Sequence, residues 1–286
     1  MDGDLEAMSG ELEITPQQAD SLLDSLTDII ARASAATLAT SFAEVERRTK
    51  DDLSPVTAAD EASEAIIVDG IKRLLPGIPV VAEESVARLA ATSLEPSFVS
   101  VDPLDGTKEF LAGRDEYTVN IAIVTHGVPI AGLITAPKKR LLWRGVTGIR
   151  AERLQITFDG AKARAHTSSP IHTRKAPKEL TVATSRSHLD KDSENFLTRL
   201  VVKERFPCGS SVKLCFIAQG DVDIYPRLAP THEWDIAAGL AILTAAGGTV
   251  TAANGGAIRF GQMAQNFLIP GFIAWGDPAL AATIKL

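Results

Sequence analysis

Two carboxylates stand three residues apart in Asp102-Pro103-Leu104-Asp105-Gly106-Thr107, directly after the apolar run at residues 98–101. A strand that ends in this pattern brings two carboxylates, a backbone carbonyl and a hydroxyl into one small volume. Carboxylates at such range repel each other unless one is protonated or a cation bridges them. Hard divalent cations such as Mg²⁺ take oxygen ligands of this kind. The segment is therefore typical of a metal site, although Pro-x-Asp-Gly between two apolar runs also predicts an ordinary turn.

Three further acidic segments could supply ligands to the same cation. Glu83-Glu84 follows a short apolar run, Asp235 lies near the start of a predicted helix, and Asp60 follows Thr57 by three residues. Each has a structural alternative. The two glutamates could be solvated charges, Asp235 could complement a helix dipole, and Asp60 could complete a capping box. Taken together they favour one shared site, because each lies beside an apolar run where a solvated charge has no special role.

Apolar periodicity predicts the elements that must position these side chains. Thr15-Pro16-Gln17-Gln18 is typical of a helix start, and a second helix should run from after Thr57 to Leu75. A short strand over 78–82, a hairpin over 119–135 and a strand over 140–144 indicate a mainly antiparallel sheet packed by helices. Beyond these, strands and helices alternate, with strands over 180–184, 222–225 and 248–252 and helices over 192–200, 210–219 and 235–246.

Composition indicates two folded units. Residues 159–179 are polar, contain Pro170 and Pro177, and are the best linker candidate. We expect a disordered tail over 1–14, an N-terminal α+β domain over 15–165 that carries most metal ligands, and a C-terminal α/β domain over 166–286 that carries Asp235 and the substrate contacts. A cleft between two such domains is a common place for a ligand.

The charge balance excludes some classes of partner. The chain has 29 Lys and Arg residues against 36 Asp and Glu, a net charge of −7, and nucleic acid binding needs clustered basic side chains. No run of 18 apolar residues predicts a transmembrane helix, and the N-terminus lacks a signal-peptide core. Cys208 and Cys215 do not have the spacing of a zinc or redox motif, so we expect two buried thiols in a reducing compartment.

Three ordered motifs within residues 50 to 250 resemble those of the inositol monophosphatase superfamily: Glu83-Glu84-Ser85, Asp102-Pro103-Leu104-Asp105-Gly106-Thr107 and Trp234-Asp235-Ile236-Ala237-Ala238-Gly239. Members of that superfamily are Mg²⁺-dependent, lithium-sensitive phosphomonoesterases. The resemblance implies a layered αβαβα sandwich of the sugar-phosphatase type. Its N-terminal part would be a mainly antiparallel sheet with helices and its C-terminal part an α/β layer. It also implies two or three Mg²⁺ ions per site.

Other segments resemble the 3′(2′),5′-bisphosphate nucleotidase branch of CysQ type: Ser54-Pro55-Val56-Thr57, Thr107-Lys108-Glu109-Phe110, Ser185-Arg186-Ser187-His188, Asp223-Ile224-Tyr225-Pro226-Arg227 and Pro230-Thr231-His232-Glu233. That branch removes the 3′-phosphate of 3′-phosphoadenosine 5′-phosphate, a by-product of sulfate assimilation, and leaves AMP; the sulfated form is a second candidate substrate. Membership implies a cytoplasmic protein, free or peripheral at the inner membrane, and a monomer or homodimer. Two alternatives stay open: a phosphatase for inositol 1-phosphate or a sugar bisphosphate, and a non-catalytic regulatory binding protein on this scaffold. Residues 140–176 match the resemblance poorly.

The resemblance also implies a role for each motif residue. The side chains of Glu83, Asp102, Asp105 and Asp235 and the carbonyl of Leu104 are the expected metal ligands. Asp60 and Thr107, with Glu83, are the expected catalytic residues, which orient a metal-bound water for in-line attack and accept its proton. The nucleotide would contact Leu104, Asp105, Gly106, Thr107, Ser185, Ser187, His188, Ser210, Lys213 and Asp235. Glu84 and Lys50 are expected to support the ligands from behind, although Lys50 could equally be a solvated residue.

Overall fold

The computed structural model describes residues 12–40, 48–49, 55–187 and 189–284. Its helices are α1 (Pro16–Ala39), α2 (Ala58–Leu74), α3 (Thr107–Leu111), α4 (Lys191–Leu197), α5 (Val212–Ala218), α6 (Glu233–Ala245) and α7 (Pro278–Thr283). Its strands are β1 (Arg48–Thr49), β2 (Pro55–Val56), β3 (Val80–Ala82), β4 (Ser97–Asp105), β5 (Thr118–Thr125), β6 (Val128–Ala136), β7 (Leu141–Val146), β8 (Arg150–Asp159), β9 (Lys162–Pro170), β10 (Leu180–Ser185), β11 (Val202–Cys208), β12 (Ile224–Arg227), β13 (Thr231–His232), β14 (Thr249–Ala252), β15 (Leu268–Ile269) and β16 (Phe272–Trp275).

Seven strands form the larger sheet, in the order β3-β4-β5-β6-β7-β8-β9. Strands β3 and β4 are parallel and all other neighbours are antiparallel, as the sequence predicts. Successive side chains of a strand point to opposite faces. Ile121 and Ile123 of β5 therefore pack with α1 and α2, whereas Ala122 and Val124 face the other way, toward α5 and α6.

The smaller sheet has the order β11-β10-β12-β16-β14 and is mixed, with parallel pairing on either side of β10. Its inner face, which includes Ala183 and Tyr225, packs against α5 and α6. Its outer face, which includes Val182 and Ile224, packs against α4 and α7. The layers are thus helices, sheet, helices, sheet and helices, and the expected αβαβα sandwich is confirmed.

The predicted linker is wrong for its first half. Residues 162–170 form strand β9 at the edge of the larger sheet, and the expected domain division at 165/166 falls inside this strand. An edge strand exposes one side of its backbone and most of its side chains, so polar and basic residues are usual there. That composition is shared with linkers, which is why the sequence did not separate them. Division into two domains stays a prediction.

Other differences concern one helix end and several whole elements. Helix α4 ends at Leu197 rather than 200. The elements that were not predicted are strands β1, β2, β8, β11, β13, β15 and β16 and helices α3 and α7. Among the described residues, no helix is long and apolar enough to cross a membrane.

Candidate active site

A cavity of about 580 Å³ lies where β3 and β4 end and where α3 and α6 begin. Its walls include most of the residues that the sequence implicates: Glu83, Asp102, Leu104, Asp105, Gly106, Thr107, Ser185, Ser187, Ser210, Lys213 and Asp235. Asp60 and Glu84 do not line it and lie behind these walls. Lys50 and His188 lie outside the described residues, and their roles stay predictions.

A bulge at the end of β4 arranges the two aspartates. Asp102 pairs with Asn120 and Asp105 pairs with Thr118, so β4 carries one more residue than its partner over this stretch. The Leu104 N–H donates to Asp102 Oδ1 at 3.1 Å, and Gly106 ends the strand at φ +90°, a conformation that favours glycine. The turn and the acidic cluster predicted for this segment are therefore one structure.

The two carboxylate oxygens of Asp60 accept hydrogen bonds from different residues. Its Oδ2 accepts from the N–H of Thr57 at 2.8 Å and from the hydroxyl of Thr57 at 2.5 Å, which completes the capping box of α2. Its Oδ1 accepts from the hydroxyl of Thr107 at 3.5 Å. The capping box considered for Asp60 is present, and it leaves the second oxygen directed toward the cavity wall.

Asp235 is held in the same manner at the start of α6. Its Oδ2 accepts from the N–H of His232 at 3.2 Å and from the hydroxyl of Thr231. Asp235 is the third residue of the helix and completes a capping box with His232. The helix start thereby fixes the direction of the carboxylate that lines the cavity.

Burial and mutual repulsion perturb the carboxylates. Burial raises the pKa of Asp102 well above its usual value, and the charges of Glu83, Asp105 and Asp235 raise it further. Burial and Asp235 raise the pKa of Asp105 to about 6, against the opposing effect of the cations Lys213 and Arg227. Since like charges act at this strength only at short range, the four acids of the three motifs share one electrostatic environment.

The donor set fits a hard divalent cation, because four carboxylates and the Leu104 carbonyl are all oxygen ligands. No three Asp, Glu, His or Cys side chains of the described chain are gathered tightly enough to hold an ion as they stand. One oxygen of each aspartate is engaged elsewhere: Asp102 with the Leu104 N–H, Asp105 with the Ser211 N–H at 2.5 Å, and Asp235 with Thr231. The fit therefore rests on donor chemistry and charge, and a bound cation would draw the free oxygens together.

Lys213 and Arg227, two of the side chains that line the cavity, carry positive charge. Lys213 of α5 is buried, and its Nζ donates to the carbonyls of Cys208 and Ser210 and lies 5.0 Å from the centre of the Tyr225 ring. Arg227 ends strand β12, lines the cavity, and has a buried Nε without a hydrogen-bond partner. Its Nη2 donates to the Pro230 carbonyl at 3.4 Å, and the guanidinium borders a cavity in which an anionic acceptor can bind.

Two residues that line the cavity, Arg227 and Glu109, were not predicted from the sequence. Arg227 lies in a segment that supported the resemblance, but its type and spacing gave no sign that it faces the cavity. Glu109 is buried and accepts from the hydroxyl of Ser187 at 2.6 Å, a contact 78 residues away in the chain. Arg186, which lies in one of the segments that carry the resemblance, forms a two-pronged pair with Glu116 at 2.6 and 2.9 Å.

The family model and the known relatives that match this chain agree with each other. The model of the inositol monophosphatase family matches residues 19–283. The 3′(2′),5′-bisphosphate nucleotidase CysQ of Escherichia coli (strain K12) is 38% identical over 223 residues, which cover 78% of this chain and 86% of the relative. The protein of the same name from Buchnera aphidicola is 37% identical over 228 residues, 79% of this chain and 82% of the relative.

Solved structures agree with these relatives. The crystal structure of CysQ from Bacteroides thetaiotaomicron superposes with a TM-score of 0.72 at 32% identity and covers 89% of this chain and 97% of that one. An inositol monophosphatase from Anabaena superposes with a TM-score of 0.71 at 25% identity and covers 93% and 97% of the two chains.

Proposed function

The chain belongs to the inositol monophosphatase family, and from this premise we propose that it is a Mg²⁺-dependent 3′(2′),5′-bisphosphate nucleotidase. Its substrate would be 3′-phosphoadenosine 5′-phosphate, from which it releases the 3′-phosphate and leaves AMP. The nucleotidases among its relatives match across more than three quarters of the chain. Their named activity supports this choice over inositol 1-phosphate or a sugar bisphosphate.

One observation carries the proposal: acidic and basic side chains line the same cavity. Asp235 raises the pKa of Asp105 while Lys213 and Arg227 lower it, so both kinds of charge act on the same carboxylate. The acidic side chains can hold the cation that binds the phosphate to be cleaved. Lys213 and Arg227 can bind a second anionic group on the same substrate, which a bisphosphate has and inositol 1-phosphate lacks.

Glu83, Asp102, Asp105, Asp235 and the Leu104 carbonyl would hold the Mg²⁺ ions. When bound, the ions would neutralise phosphate charge and lower the pKa of a coordinated water. The remaining tasks belong to the protein's own groups, namely to orient the water, receive its proton and hold the nucleotide.

Thr107 and Asp60 can orient the water and take up its proton. The Thr107 hydroxyl has two acceptors in reach for its one proton, Asp60 Oδ1 at 3.5 Å and the Leu104 carbonyl at 3.4 Å, and its lone pairs can accept a hydrogen bond from a water in the cavity. A proton that passes to Thr107 can continue to Asp60 along this contact. The capping box holds Asp60 in place for this step, since the other oxygen is bound to Thr57.

Arg227 and Lys213 would bind the second phosphate. The guanidinium has a geometry that suits two-pronged phosphate contact, whereas the ammonium acts as a point charge. Ser185 and Ser210 also line the cavity, and their hydroxyls can donate to phosphate or ribose oxygens. Ser187 lines it too, but its hydroxyl already donates to Glu109 and can only accept there.

Phosphate release from two substrates tests the proposal. With saturating Mg²⁺, we expect kcat/KM for 3′-phosphoadenosine 5′-phosphate to exceed that for inositol 1-phosphate by at least about tenfold. The reason is that only the nucleotide has a second phosphate to pair with Lys213 and Arg227. A preference for inositol 1-phosphate would favour the first alternative. Retained nucleotide binding without turnover of any phosphomonoester would favour a regulatory protein on this scaffold.

A further inference from the structure

Helix α2 contacts two acidic segments of the candidate site, residues 102–107 and 83–85, through one of its faces. Asp60, Ser63 and Glu64 are spaced by three and four residues, so they lie on the same side of the helix. Asp60 accepts from Thr107, as described above, and the other two side chains each hold a backbone group of a different motif. Neither Ser63 nor Glu64 lines the cavity, so any role they have is exerted through the residues they contact.

Glu64 fixes the peptide that follows a metal ligand. Its side chain is buried, and Oε2 accepts from the Glu84 N–H at 2.9 Å. On the other flank, the Glu83 N–H donates to the Val101 carbonyl at 3.2 Å and thereby extends the pairing of β3 with β4. Glu83 is thus held by hydrogen bonds on both sides of its α-carbon, which sets the direction of its side chain.

Ser63 fixes the peptide between the two aspartates. Its fully buried hydroxyl donates to the Pro103 carbonyl at 2.7 Å, and the N–H of the same peptide, that of Leu104, donates to Asp102 Oδ1. Both polar atoms of this peptide are therefore engaged. The peptide that leads into Leu104 is thereby fixed, and its rotation would break the bond to Ser63 and release one oxygen of Asp102.

We propose that Ser63 and Glu64 are positioning residues that set the Mg²⁺ affinity of the site by orienting Glu83, Asp102 and the Leu104 carbonyl. The proposal rests on the proposed function for the identity of the cation. Residues behind metal ligands commonly change metal affinity or activity by about 10- to 100-fold when mutated. In this proposal the hydrogen bond of Glu64, and not its negative charge, sets the Mg²⁺ affinity. An amide oxygen at position 64 can accept the same hydrogen bond, so glutamine should preserve the affinity.

Mg²⁺ titration of the protein without substrate, followed by calorimetry, tests this directly. We expect Glu64→Ala to weaken Mg²⁺ binding by about tenfold or more, and Glu64→Gln to stay within about twofold of the wild type. Ser63→Ala, a smaller change, should weaken binding by about threefold to tenfold. Glu61→Ala is the matched control, because Glu61 is an exposed acid on the same helix. Circular dichroism in the absence of Mg²⁺ shows whether each variant is folded.

Two results would overturn the proposal: wild-type Mg²⁺ affinity in folded Ser63→Ala or Glu64→Ala, or equal losses in Glu64→Gln and Glu64→Ala. The second would assign the effect to charge. Should Glu64→Ala not fold, Ser63→Ala and Glu64→Gln still decide the matter. Turnover of the wild-type protein on 3′-phosphoadenosine 5′-phosphate is measured alongside, so that loss of the proposed function is distinguished from loss of the positioning role.

Discussion

Two acidic residues of this protein have a structural task and a proposed chemical one. Asp60 and Asp235 each give one oxygen to the capping box of a helix and leave the other for the cavity side. A residue used in this way is already oriented before any ligand binds. This lowers the cost of organising the site and explains why acids near helix starts can belong to a ligand set.

Replacement of Asp105 by Asn tests the metal site with almost no change in shape. Because one ligand becomes neutral, we expect phosphatase activity at saturating Mg²⁺ to fall by on the order of 100-fold or more while the fold is kept. Steady-state phosphate release and circular dichroism measure the two quantities. Asp115→Asn is the matched control, since Asp115 is an exposed acid paired with Lys139. Full activity in Asp105→Asn would contradict the assignment.

Arg227 provides a second test at this scale. We expect Arg227→Ala to lower kcat/KM for 3′-phosphoadenosine 5′-phosphate by about 10- to 100-fold, because a charge-assisted contact to the second phosphate is lost. Arg205→Ala is the control, because Arg205 is exposed and pairs with Glu194. Kinetics on a substrate without the second phosphate should show little difference between Arg227→Ala and the wild type. An equal loss on both substrates would contradict the assigned contact.

At the level of elements, apolar periodicity and helix-capping residues predicted the positions of several helices and strands correctly. Helices α1 and α2 begin at the capping boxes that the sequence indicates, and the β5–β6 hairpin has the predicted position. Strand β9 was missed because an edge strand and a linker share a polar composition. The contact between Glu109 and Ser187 could not be predicted, since it depends on how the ends of two distant elements meet in space.

The packing of α6 on β6 depends on one small residue. A Cβ atom at Gly132 would lie 2.1 Å from the backbone oxygen of Ala238, so neither side chain nor rotamer change can relieve the clash. We expect Gly132→Ala to lower the free energy of unfolding by about 2 kcal/mol or more, measured by urea denaturation. Gly256→Ala, in an exposed turn, should change it by less than about 1 kcal/mol. Equal stability of the two variants would contradict the packing described for α6.

For the molecule as a whole, the acidic cluster should link stability to pH and Mg²⁺. In the Mg²⁺-free protein the pKa of Asp105 is raised from 3.8 to about 6, so the folded state retains a proton that the unfolded state loses. Stability should therefore fall as pH rises from about 4 to 6. Mg²⁺ binds the deprotonated form, so it should raise the melting temperature more at pH 7.5 than at pH 5.

The Asp105→Asn variant isolates this effect from other titrating groups. Without Mg²⁺ it should lose less stability than the wild type between pH 4 and 6, because one of the two carboxyl groups with a raised pKa is gone. Thermal unfolding of both proteins across this range, with and without Mg²⁺, gives the comparison. Identical pH profiles for the two proteins would contradict the electrostatic account.

The most direct test of the central claim is to identify the products formed from 3′-phosphoadenosine 5′-phosphate with Mg²⁺ and with a chelator. The account predicts Mg²⁺-dependent formation of 5′-AMP and phosphate in equal amounts, and no turnover once the metal is chelated. Undiminished hydrolysis in the chelator, or release of the 5′-phosphate to leave the 3′-monophosphate, would contradict it.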